Sequence, residues 1–358
     1  MKLNRLQRVI DGMREMSLDQ ILVTQTESIY YLTGLWVVPG ERMLALKVDS
    51  DGVCKLYVNR MFALGGQEDG FELVEFDDID DPVAILANDV KPGSLGIDKF
   101  WPSGFTVRLL EKRADVKPVV GSRPVDDARM MKDAEELEKM RLSSRMNDKV
   151  VESMPSALVE GMKESDACQI YTSRAKELGA IDAGFAPLIC FGKTSAEPHH
   201  ISDATTLKPG DAVIFDLGLN LDHMMSDMTR TVFYKSATDE QKRVYDIVKA
   251  ANAAGKAAVR PGIKMSDIDK AARKVIEDAG YGKYFLHRTG HGIGLSVHEP
   301  PDCSSVCDTV TKPGMVFSIE PGIYLAGKFG VRIEDLVAVT PDGCEVLNSL
   351  DRELKIVG

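Results

Sequence analysis

The N-terminal third of this sequence contains no histidine, and the six histidines of the 358-residue chain all lie between positions 199 and 298. Histidine changes charge near neutral pH and is a common metal ligand. Imidazole chemistry is therefore excluded from residues 1–125, where we find no other catalytic arrangement. We look for the site in the rest of the chain.

Long apolar runs are also absent. None approaches the roughly 18–20 residues of a membrane-spanning helix, and the first eight residues are too polar for the core of a signal peptide. The six cysteines are scattered, as reduced thiols are, and the Cys303/Cys307 pair lacks a second pair to complete a structural zinc site. We expect a cytoplasmic protein without a membrane partner.

Positive charge is scarce, because the formal net charge is −11 at pH 7. The phosphate backbone of a nucleic acid requires a basic surface. We therefore expect no nucleic-acid partner. Carboxylates that hold cations would account for part of this acidity.

The length of 358 residues exceeds that of a usual single core and predicts two domains. In the first, the apolar run 29–32 predicts a strand, and Asp51-Gly52 predicts a hairpin turn. The pattern then changes to a long helical one, at about 128–154. We place a mixed α/β domain at residues 1–125 and a second domain at 126–358.

The second domain contains an internal repeat. Gly-Met-Lys-Glu-Ser-Asp at 161–166 recurs as Gly-Ile-Lys-Met-Ser-Asp at 262–267, and Lys-Pro-Gly at 208–210 recurs at 312–314. In each copy the serine is predicted to cap the following helix. The repeat predicts two structurally related halves.

A carboxylate follows each Lys-Pro-Gly motif by six residues, in an apolar strand: Asp216 in the first copy and Glu320 in the second. Each has a partner acid further along the chain, Asp227 and Glu334 respectively. We predict that each half consists of helices followed by a hairpin with one acid on each strand. Two such halves, related by a pseudo-twofold axis, would bring both acid pairs together.

The first acid pair indicates a cation. If the chain closes as a symmetric hairpin about Leu221-Asp222, Asp216 and Asp227 are directly opposite, with Cβ atoms roughly 4.5–5.5 Å apart, where like charges are destabilising. Four carboxylates in one pocket stay ionised only if cations bind or their pKa values rise. Oxygen donors favour one or two hard divalent ions such as Mn²⁺. For any single acid, a salt bridge remains the alternative.

Histidines supply further candidate site residues. His291 and His298 flank a Gly-Ile-Gly bend, and both face the pocket only if that bend breaks strand alternation. One of them would be a metal ligand and the other a free donor, and His199 is a third candidate. His200 and His287 are interpreted as surface or supporting residues.

Two further side chains are expected beside the acids. Arg332 lies two positions before Glu334, and Thr229 lies two positions after Asp227. Side chains two apart on a strand share one face. Ion pairing with the acids is the simplest role for Arg332, and substrate contact is compatible with it.

Several motifs are specific in combination: Ser-Asp-Met-Thr-Arg-Thr, Gly-His-Gly-Ile-Gly-Leu-Ser-Val-His-Glu, Ile-Glu-Pro-Gly-Ile-Tyr and Val-Arg-Ile-Glu-Asp. They resemble the Xaa-Pro-cleaving branch of the pita-bread metallopeptidases (family M24), which include methionine aminopeptidase, aminopeptidase P and prolidase. Tyr-Tyr-Leu-Thr-Gly at 30–34 is similar to the creatinase-type N-terminal domain of that branch. The resemblance implies an α+β chain, with a smaller α/β creatinase-like domain at 1–125. A pita-bread catalytic domain with a pseudo-twofold αββ repeat would follow at 126–358.

The resemblance also implies a dinuclear metal site. Its ligands would be Asp216, Asp227, His291, Glu320 and Glu334. Asp227 and Glu334 would bridge two divalent ions, with Mn²⁺ expected and Co²⁺ or Zn²⁺ as alternatives. By the same resemblance, a bridging hydroxide would be the nucleophile and Glu320 would accept its proton.

The remaining roles follow from the same resemblance. His199 and His298 would contact the scissile carbonyl and the tetrahedral intermediate, and Arg332 matches an arginine held near the site. The implied activity is hydrolysis of the bond before proline in di- or oligopeptides, by a homodimer. No arginine follows the His-Glu pair at 298–299, where some prolidases bind a free carboxylate; this slightly favours longer substrates.

Two other functions are weighed against this one. A catalytically inactive pita-bread binding protein would be expected to have lost ligands, whereas this chain retains all five. A related pita-bread aminopeptidase without proline specificity is the second alternative.

Overall fold

The computed structural model describes residues 1–66 and 69–358. The chain divides into two units, Met1–Arg129 and Met130–Gly358. Within the described residues, none of the helices combines the length and the apolar character needed to cross a bilayer.

The first unit is built on a mixed sheet. Its helices are α1 (Leu3–Glu15), α2 (Thr26–Thr33), α3 (Pro82–Asp89), α4 (Ser103–Lys112) and α5 (Arg123–Met130). Its strands are β1 (Gln20–Val23), β2 (Ala45–Asp49), β3 (Cys54–Asn59), β4 (Glu72–Phe76), β5 (Gly93–Ile97) and β6 (Val116–Val120). The strand order is β4-β3-β2-β1-β5-β6, with β1–β2 and β2–β3 antiparallel and the other pairs parallel.

Two local predictions have different outcomes in this unit. The hairpin at Asp51-Gly52 is confirmed, since β2 and β3 pair across it and Gly52 has a φ of 93°. The predicted strand at 29–32 is wrong, because these residues lie in helix α2, which ends at Gly34 with a φ of 81°. A short apolar run is compatible with a helix or with a strand, and a glycine with left-handed backbone is typical of the position just after a helix.

The second unit combines long helices with two larger sheets. Its helices are α6 (Ala134–Ser153), α7 (Glu164–Glu177), α8 (Asp239–Ala258) and α9 (Met265–Asp278). Its strands are β7 (Leu188–Phe191), β8 (Ala212–Leu217), β9 (Asn220–Leu221), β10 (Met224–Met225), β11 (Met228–Tyr234), β12 (Gly290–Gly292), β13 (Glu299–Cys303), β14 (Val316–Ile319), β15 (Gly322–Leu325), β16 (Phe329–Arg332), β17 (Asp335–Val339), β18 (Cys344–Val346) and β19 (Ile356–Val357). The larger sheets have the orders β19-β11-β8-β7 and β13-β12-β14-β17-β18.

The helix predicted at 128–154 is interrupted. Helix α5 ends at Met130, and α6 begins after Asp133, whose side chain accepts a hydrogen bond from the backbone N–H of Glu136. Such a capping box satisfies donors that a helix start leaves exposed. The two helices are therefore separate elements.

The duplicated helix-and-hairpin arrangement is confirmed. Helix α7 precedes the β8–β11 hairpin, and α9 precedes the β14–β17 pair. The repeated glycines Gly161 and Gly262 have matching left-handed φ values of 81° and 83°. The predicted serine caps are wrong, because the cap positions are Lys163 and Lys264, and each serine lies inside the first helical turn.

A buried asparagine on a long helix fixes strand ends in each half. Asn147 of α6 donates to the carbonyl of Leu217 at 2.7 Å, and Asn252 of α8 donates to the carbonyls of Ile319 and Ile333 at 2.8 and 3.2 Å. Each of these carbonyls belongs to a residue next to one of the four predicted acids. Because buried polar groups require partners, these bonds hold the backbone beside the acids.

The strands that carry the acids lie in an apolar interior. Strands β11 and β17 are buried along their whole length, and Phe215, Phe233 and Phe317 are fully inaccessible. A carboxylate in such surroundings is costly unless it is paired or binds a cation. The acids therefore require a compensating charge.

Candidate active site

The β8–β11 hairpin carries Asp216 and Asp227 on one face of its sheet, although the two are not directly opposite. Asp216 pairs with Thr229, so Asp227 is its diagonal neighbour. The turn lies one residue later than predicted, at Asp222 and His223, with φ values of 51° and 63°. This left-handed pair is typical of a tight type I′ hairpin turn.

In the second half, Glu320 and Glu334 lie at matching positions just beyond their strands. Ile319 pairs with Asp335 at the end of the β14–β17 ladder, so the two acids, one residue further along, face each other. The backbone N–H of Glu334 donates to the carbonyl of Thr229 at 3.0 Å. This bond joins the two hairpins at the site.

The predicted site residues meet around one cavity of about 660 Å³. All eight line it: His199, Asp216, Asp227, His291, His298, Glu320, Arg332 and Glu334. The apolar side chains of Phe185, Leu188 and Val297 form another part of the wall. The fold thus brings the predicted set together from distant segments.

An irregular strand brings His291 and His298 side by side. The register of β12 shifts between His291 and Gly292, and the two imidazole centroids are 4.0 Å apart. A Cβ atom on Gly290 would lie only 1.9 Å from the carbonyl oxygen of Ser318. Glycine is therefore required for the close approach of β12 and β14 that sets the position of His291.

The orientation of His291 leaves a lone pair facing the acids. Its Nδ1 lies 3.1 Å from the carbonyl oxygen of Gly292, which only accepts hydrogen bonds, so Nδ1 carries the proton. The Nε2 atom lies 3.4 Å from Glu320 and 3.8 Å from Asp227. An unprotonated nitrogen against carboxylate oxygens is unfavourable unless a cation lies between them.

Burial shapes the electrostatics of the acids. Burial, then the charge of Glu334, raises the pKa of Asp227 well above its ordinary value, and burial, then the charge of Glu320, does the same for the pKa of Glu334. Burial raises the pKa of Glu320 to about 7, against the opposing charge of Arg332. Burial lowers the pKa of His291 to about 3. Asp227, Glu320 and Glu334 therefore resist ionisation when no cation is bound.

The donor set fits a metal. Asp227, His291 and Glu334 offer ligand atoms that all lie within 4.8 Å of one another. Oδ1 of Asp227 and Oε1 of Glu334 are buried and have no hydrogen-bond partner among the described residues. Buried polar atoms are rarely left unpaired, and a divalent cation would satisfy both.

Arg332 organises the opposite side of the acid cluster. Its guanidinium donates to Asp216 at 2.5 Å, to Thr229 Oγ1 at 3.1 Å and to the Tyr324 hydroxyl at 2.9 Å. Thr229 in turn donates to Oε2 of Glu334 at 2.8 Å. One buried cation thus orients an acid from each half.

Sequence reasoning did not assign three residues to this site: His287, Arg288 and Tyr324. His287, interpreted as a surface or supporting residue, lines the cavity, and its Nε2 lies 2.8 Å from the hydroxyl of Tyr324. Arg288 also lines the cavity and pairs with Asp302. The sequence signal that could have identified two of them is spacing. Tyr324 follows Glu320 by four residues, and His287 precedes His291 by four residues.

Two protein-family models match the chain. The model of metallopeptidase family M24 matches residues 138–341, and that of the Creatinase/Prolidase N-terminal domain matches residues 5–131. The two matches fall in succession and together cover most of the sequence. Both units therefore have relatives.

Solved structures and relatives extend the match to the full length. The crystal structure of recombinant prolidase from Thermococcus sibiricus is 34% identical with a TM-score of 0.95, covering 100% of this chain and 99% of that one. An Xaa-Pro dipeptidase from Bacillus anthracis is 28% identical with a TM-score of 0.91, covering 100% of both. An uncharacterized peptidase of Staphylococcus aureus (strain bovine RF122 / ET3-1) is 33% identical over 98% of this chain and all of that protein.

Proposed function

The chain belongs to metallopeptidase family M24, and from that premise we propose that it is a dinuclear, metal-dependent Xaa-Pro peptidase that hydrolyses the peptide bond before proline. The observation that carries this proposal is the five-donor set, with two buried carboxylate oxygens that lack a hydrogen-bond partner among the residues that the structure describes. Two of the similar structures are a prolidase and an Xaa-Pro dipeptidase. The prolidase and Xaa-Pro dipeptidase activities of these two similar proteins support a proline-containing substrate for this metallo-exopeptidase.

The residues that would hold the ions are Asp216, Asp227, His291, Glu320 and Glu334. Asp227 and Glu334 would be central to this set, because each is buried and has one carboxylate oxygen without a hydrogen-bond partner among the described residues. When bound, two divalent ions supply Lewis acidity to the scissile carbonyl and lower the pKa of the attacking water. Four carboxylates and one imidazole suit Mn²⁺ better than a soft metal, so we propose Mn²⁺, with Co²⁺ or Zn²⁺ as alternatives.

Glu320 is proposed as the proton acceptor. Its Oε1 accepts a hydrogen bond from the Ser318 hydroxyl at 3.1 Å and faces His291, which leaves Oε2 to receive the proton of the attacking water. In the metal-free protein burial raises the pKa of Glu320 to about 7. Bound cations would lower that pKa, so the carboxylate would be ionised and able to accept the proton.

His199 and His298 are proposed to stabilise the substrate oxygen as negative charge develops on it. Burial lowers the pKa of His298, so its imidazole is neutral at pH 7 and offers one N–H donor. Preorganised donors aimed at a developing oxyanion are among the largest contributions to catalysis. Both rings line the cavity and stay outside the assigned ligand set.

The cavity wall suggests how a proline peptide is held. Phe185, Leu188 and Val297 offer an apolar surface for the pyrrolidine ring. Arg288, partly exposed at the cavity, is the cation that we assign to the substrate carboxylate. It would replace the arginine that is absent after the His-Glu pair, and it shifts our expectation towards dipeptides.

We further propose a cytoplasmic homodimer with no nucleic-acid or membrane partner. The net charge of −11 supports the absence of a nucleic-acid partner. All six cysteines are free thiols, which suits a reducing compartment. Size-exclusion chromatography with light scattering tests the dimer directly.

The test of the proposed function is hydrolysis of Xaa-Pro, Xaa-Pro-Xaa and Met-Ala-Xaa peptides after chelation, with and without added Mn²⁺. We expect proline-dependent turnover that chelation abolishes and Mn²⁺ restores. Turnover of Met-Ala-Xaa alone would instead favour an aminopeptidase without proline specificity. No metal-dependent turnover of any peptide would refute the proposal.

A further inference from the structure

The second helix of each half of the duplicated unit, α7 or α9, carries one fully buried carboxylate. Glu164 lies in the first turn of α7, and Asp269 lies in the second turn of α9. Both side chains have a relative exposure of 0%. Neither lines the cavity, and the mechanism above uses neither.

Glu164 binds both ends of the segment that carries His199. Its Oε1 accepts from the backbone N–H of Phe191 at 2.8 Å and from the hydroxyl of Thr194. Its Oε2 lies 2.9 Å from Nε2 of His200 and accepts from the backbone N–H of Asp203 at 3.1 Å. Contacts therefore lie on both sides of His199.

These contacts argue for anchoring rather than metal binding. Glu164, His200 and Asp203 do offer ligand atoms within 4.8 Å of one another. Both carboxylate oxygens of Glu164, however, already accept hydrogen bonds from the protein. In contrast, Asp227 and Glu334 each keep one buried oxygen that has no hydrogen-bond partner within residues 1–66 and 69–358.

Asp269 holds the segment that leads to His291. Its Oδ1 accepts from the backbone N–H and the hydroxyl of Thr289 at 3.1 and 2.8 Å. Arg273, paired with Asp269 at 3.0 Å, also donates to the carbonyl of His287 at 2.9 Å. The carbonyl of Thr289 then accepts from the backbone N–H of Glu320 at 2.8 Å. Asp269 is thus connected through Thr289 to two assigned metal ligands, His291 and Glu320.

We propose that Glu164 and Asp269 are paired positioning residues with separate duties: Glu164 places His199 for catalysis, and Asp269 places His291 and Glu320 for metal binding. The proposal rests on the proposed function for its catalytic half and on metal binding alone for its other half. His199 is exposed and lies on a loop after the 3₁₀ helix Gly192–Ala196, so its position depends on the bonds on either side of it.

The test compares Glu164→Gln with Asp269→Asn, since each amide keeps the side-chain volume and removes one acceptor. A catalytic group misplaced by about 1 Å can cost about 100-fold in rate. For Glu164→Gln we expect kcat to fall about 10–100-fold, with KM changed less than about threefold and Mn²⁺ affinity unchanged. For Asp269→Asn we expect Mn²⁺ affinity to fall about 10–100-fold, with kcat recovering in part at saturating Mn²⁺, because Glu320 is also the proposed proton acceptor.

Exposed acids nearby provide matched controls. Glu160→Gln and Asp267→Asn each alter an acid on the surface, close in sequence to one anchor. Both controls should match the wild type in kcat and in Mn²⁺ affinity measured by calorimetry. If either anchor variant fails to fold, Thr194→Val and Thr289→Val each remove one hydrogen bond to an anchor. Thr194→Val should then lower kcat about threefold, and Thr289→Val should lower Mn²⁺ affinity about threefold.

The outcomes separate the two proposals. Weakened Mn²⁺ binding in Glu164→Gln, unchanged Mn²⁺ binding in Asp269→Asn, or no difference from the controls would each overturn the assignment of duties. If the wild type hydrolyses no proline peptide, the proposed function fails. The calorimetric difference between Asp269→Asn and Glu164→Gln then still decides the metal-binding half.

Discussion

The guanidinium of Arg332 lies 2.5 Å from Oδ2 of Asp216, so the protein itself neutralises one acid of the candidate metal centre. Arg332 is 3% exposed and also donates to Thr229 and Tyr324. Its positive charge therefore lies next to the acids that line the cavity. Two neighbouring groups, Asp216 and Thr229, depend on it for orientation.

Arg332→Lys should lower kcat/KM about 100-fold, or about 2.7 kcal/mol, because an ammonium cannot reproduce three directional bonds of a planar guanidinium. Mn²⁺ content should be retained. Steady-state kinetics with elemental analysis checks both expectations. Arg243→Lys, at an exposed position on α8, is the control. A change of less than about twofold in Arg332→Lys would contradict the orienting role.

Asp227→Asn should remove metal and activity together while the fold persists. Asp227 is 4% exposed, and its Oδ1 has no hydrogen-bond partner in the described part of the chain. The neutral amide avoids the cost of a buried charge, so the melting temperature of the metal-free variant should equal or exceed that of the metal-free wild type. Circular dichroism and elemental analysis provide the readouts. Full metal stoichiometry in the variant would count against a bridging ligand.

The neighbouring imidazoles should separate metal binding from turnover. His291→Ala should lose metal, because its Nε2 faces Glu320 and Asp227. His298→Ala should lower kcat about 100–1,000-fold, as loss of an oxyanion donor does, and should keep its Mn²⁺. Equal loss of metal and turnover in both variants would show that the two roles are wrongly divided.

Glu320 should make the metal-free protein lose stability as the pH rises from about 4.5 to about 7. Burial raises the pKa of Glu320 from 4.5 to about 7, so in this interval its carboxyl group binds more protons in the folded state than in the unfolded state. The contribution of Glu320 to the unfolding free energy then falls with pH, by an amount on the order of 2 kcal/mol. The raised pKa values of Asp227 and Glu334 act in the same direction. Burial lowers the pKa of His287 to about 4 and that of His291 to about 3, and these two groups contribute in the opposite direction, so the Glu320 contribution is read from the difference between wild type and Glu320→Gln.

Urea unfolding in a chelator, at about pH 5 and about pH 7.5, measures this dependence. Added Mn²⁺ should stabilise the protein more at the higher pH, because the ligands must lose their protons to bind it. The same pH dependence in chelated Glu320→Gln as in the chelated wild type would mean that Glu320 is already ionised without metal.

Arg288→Ala should raise KM for an Xaa-Pro dipeptide about tenfold, or about 1.4 kcal/mol, through loss of the carboxylate partner. The KM for an Xaa-Pro amide should change by less than about twofold. Asp302→Asn provides a reciprocal variant, because it removes the acid that pairs with Arg288 and should lower KM for the dipeptide. An equal effect of Arg288→Ala on both substrates would rule out this contact.

The α+β fold, the duplicated halves and the family resemblance were predictable from sequence, and all are confirmed. Asp216 and Glu320 each follow a Lys-Pro-Gly motif by six residues, and strand alternation predicts that Asp216 and Asp227 share one face of their sheet. These signals lie within short stretches of sequence, so they can be recognised before the fold is known. Asp216 and Glu320 were identified in this way, and both line the cavity.

Other features depended on information that local patterns do not contain. The turn at Asp222 and His223 requires left-handed backbone from two non-glycine residues, which no simple turn signal marks. The bond between His287 and Tyr324 joins residues 37 positions apart. Contacts of this range arise only when separate strands pack together.

Each helix-and-hairpin half supplies two of the four acids, so the acid cluster exists only where two halves meet. A substitution that shifts one half against the other would therefore separate the two acid pairs while leaving each hairpin intact.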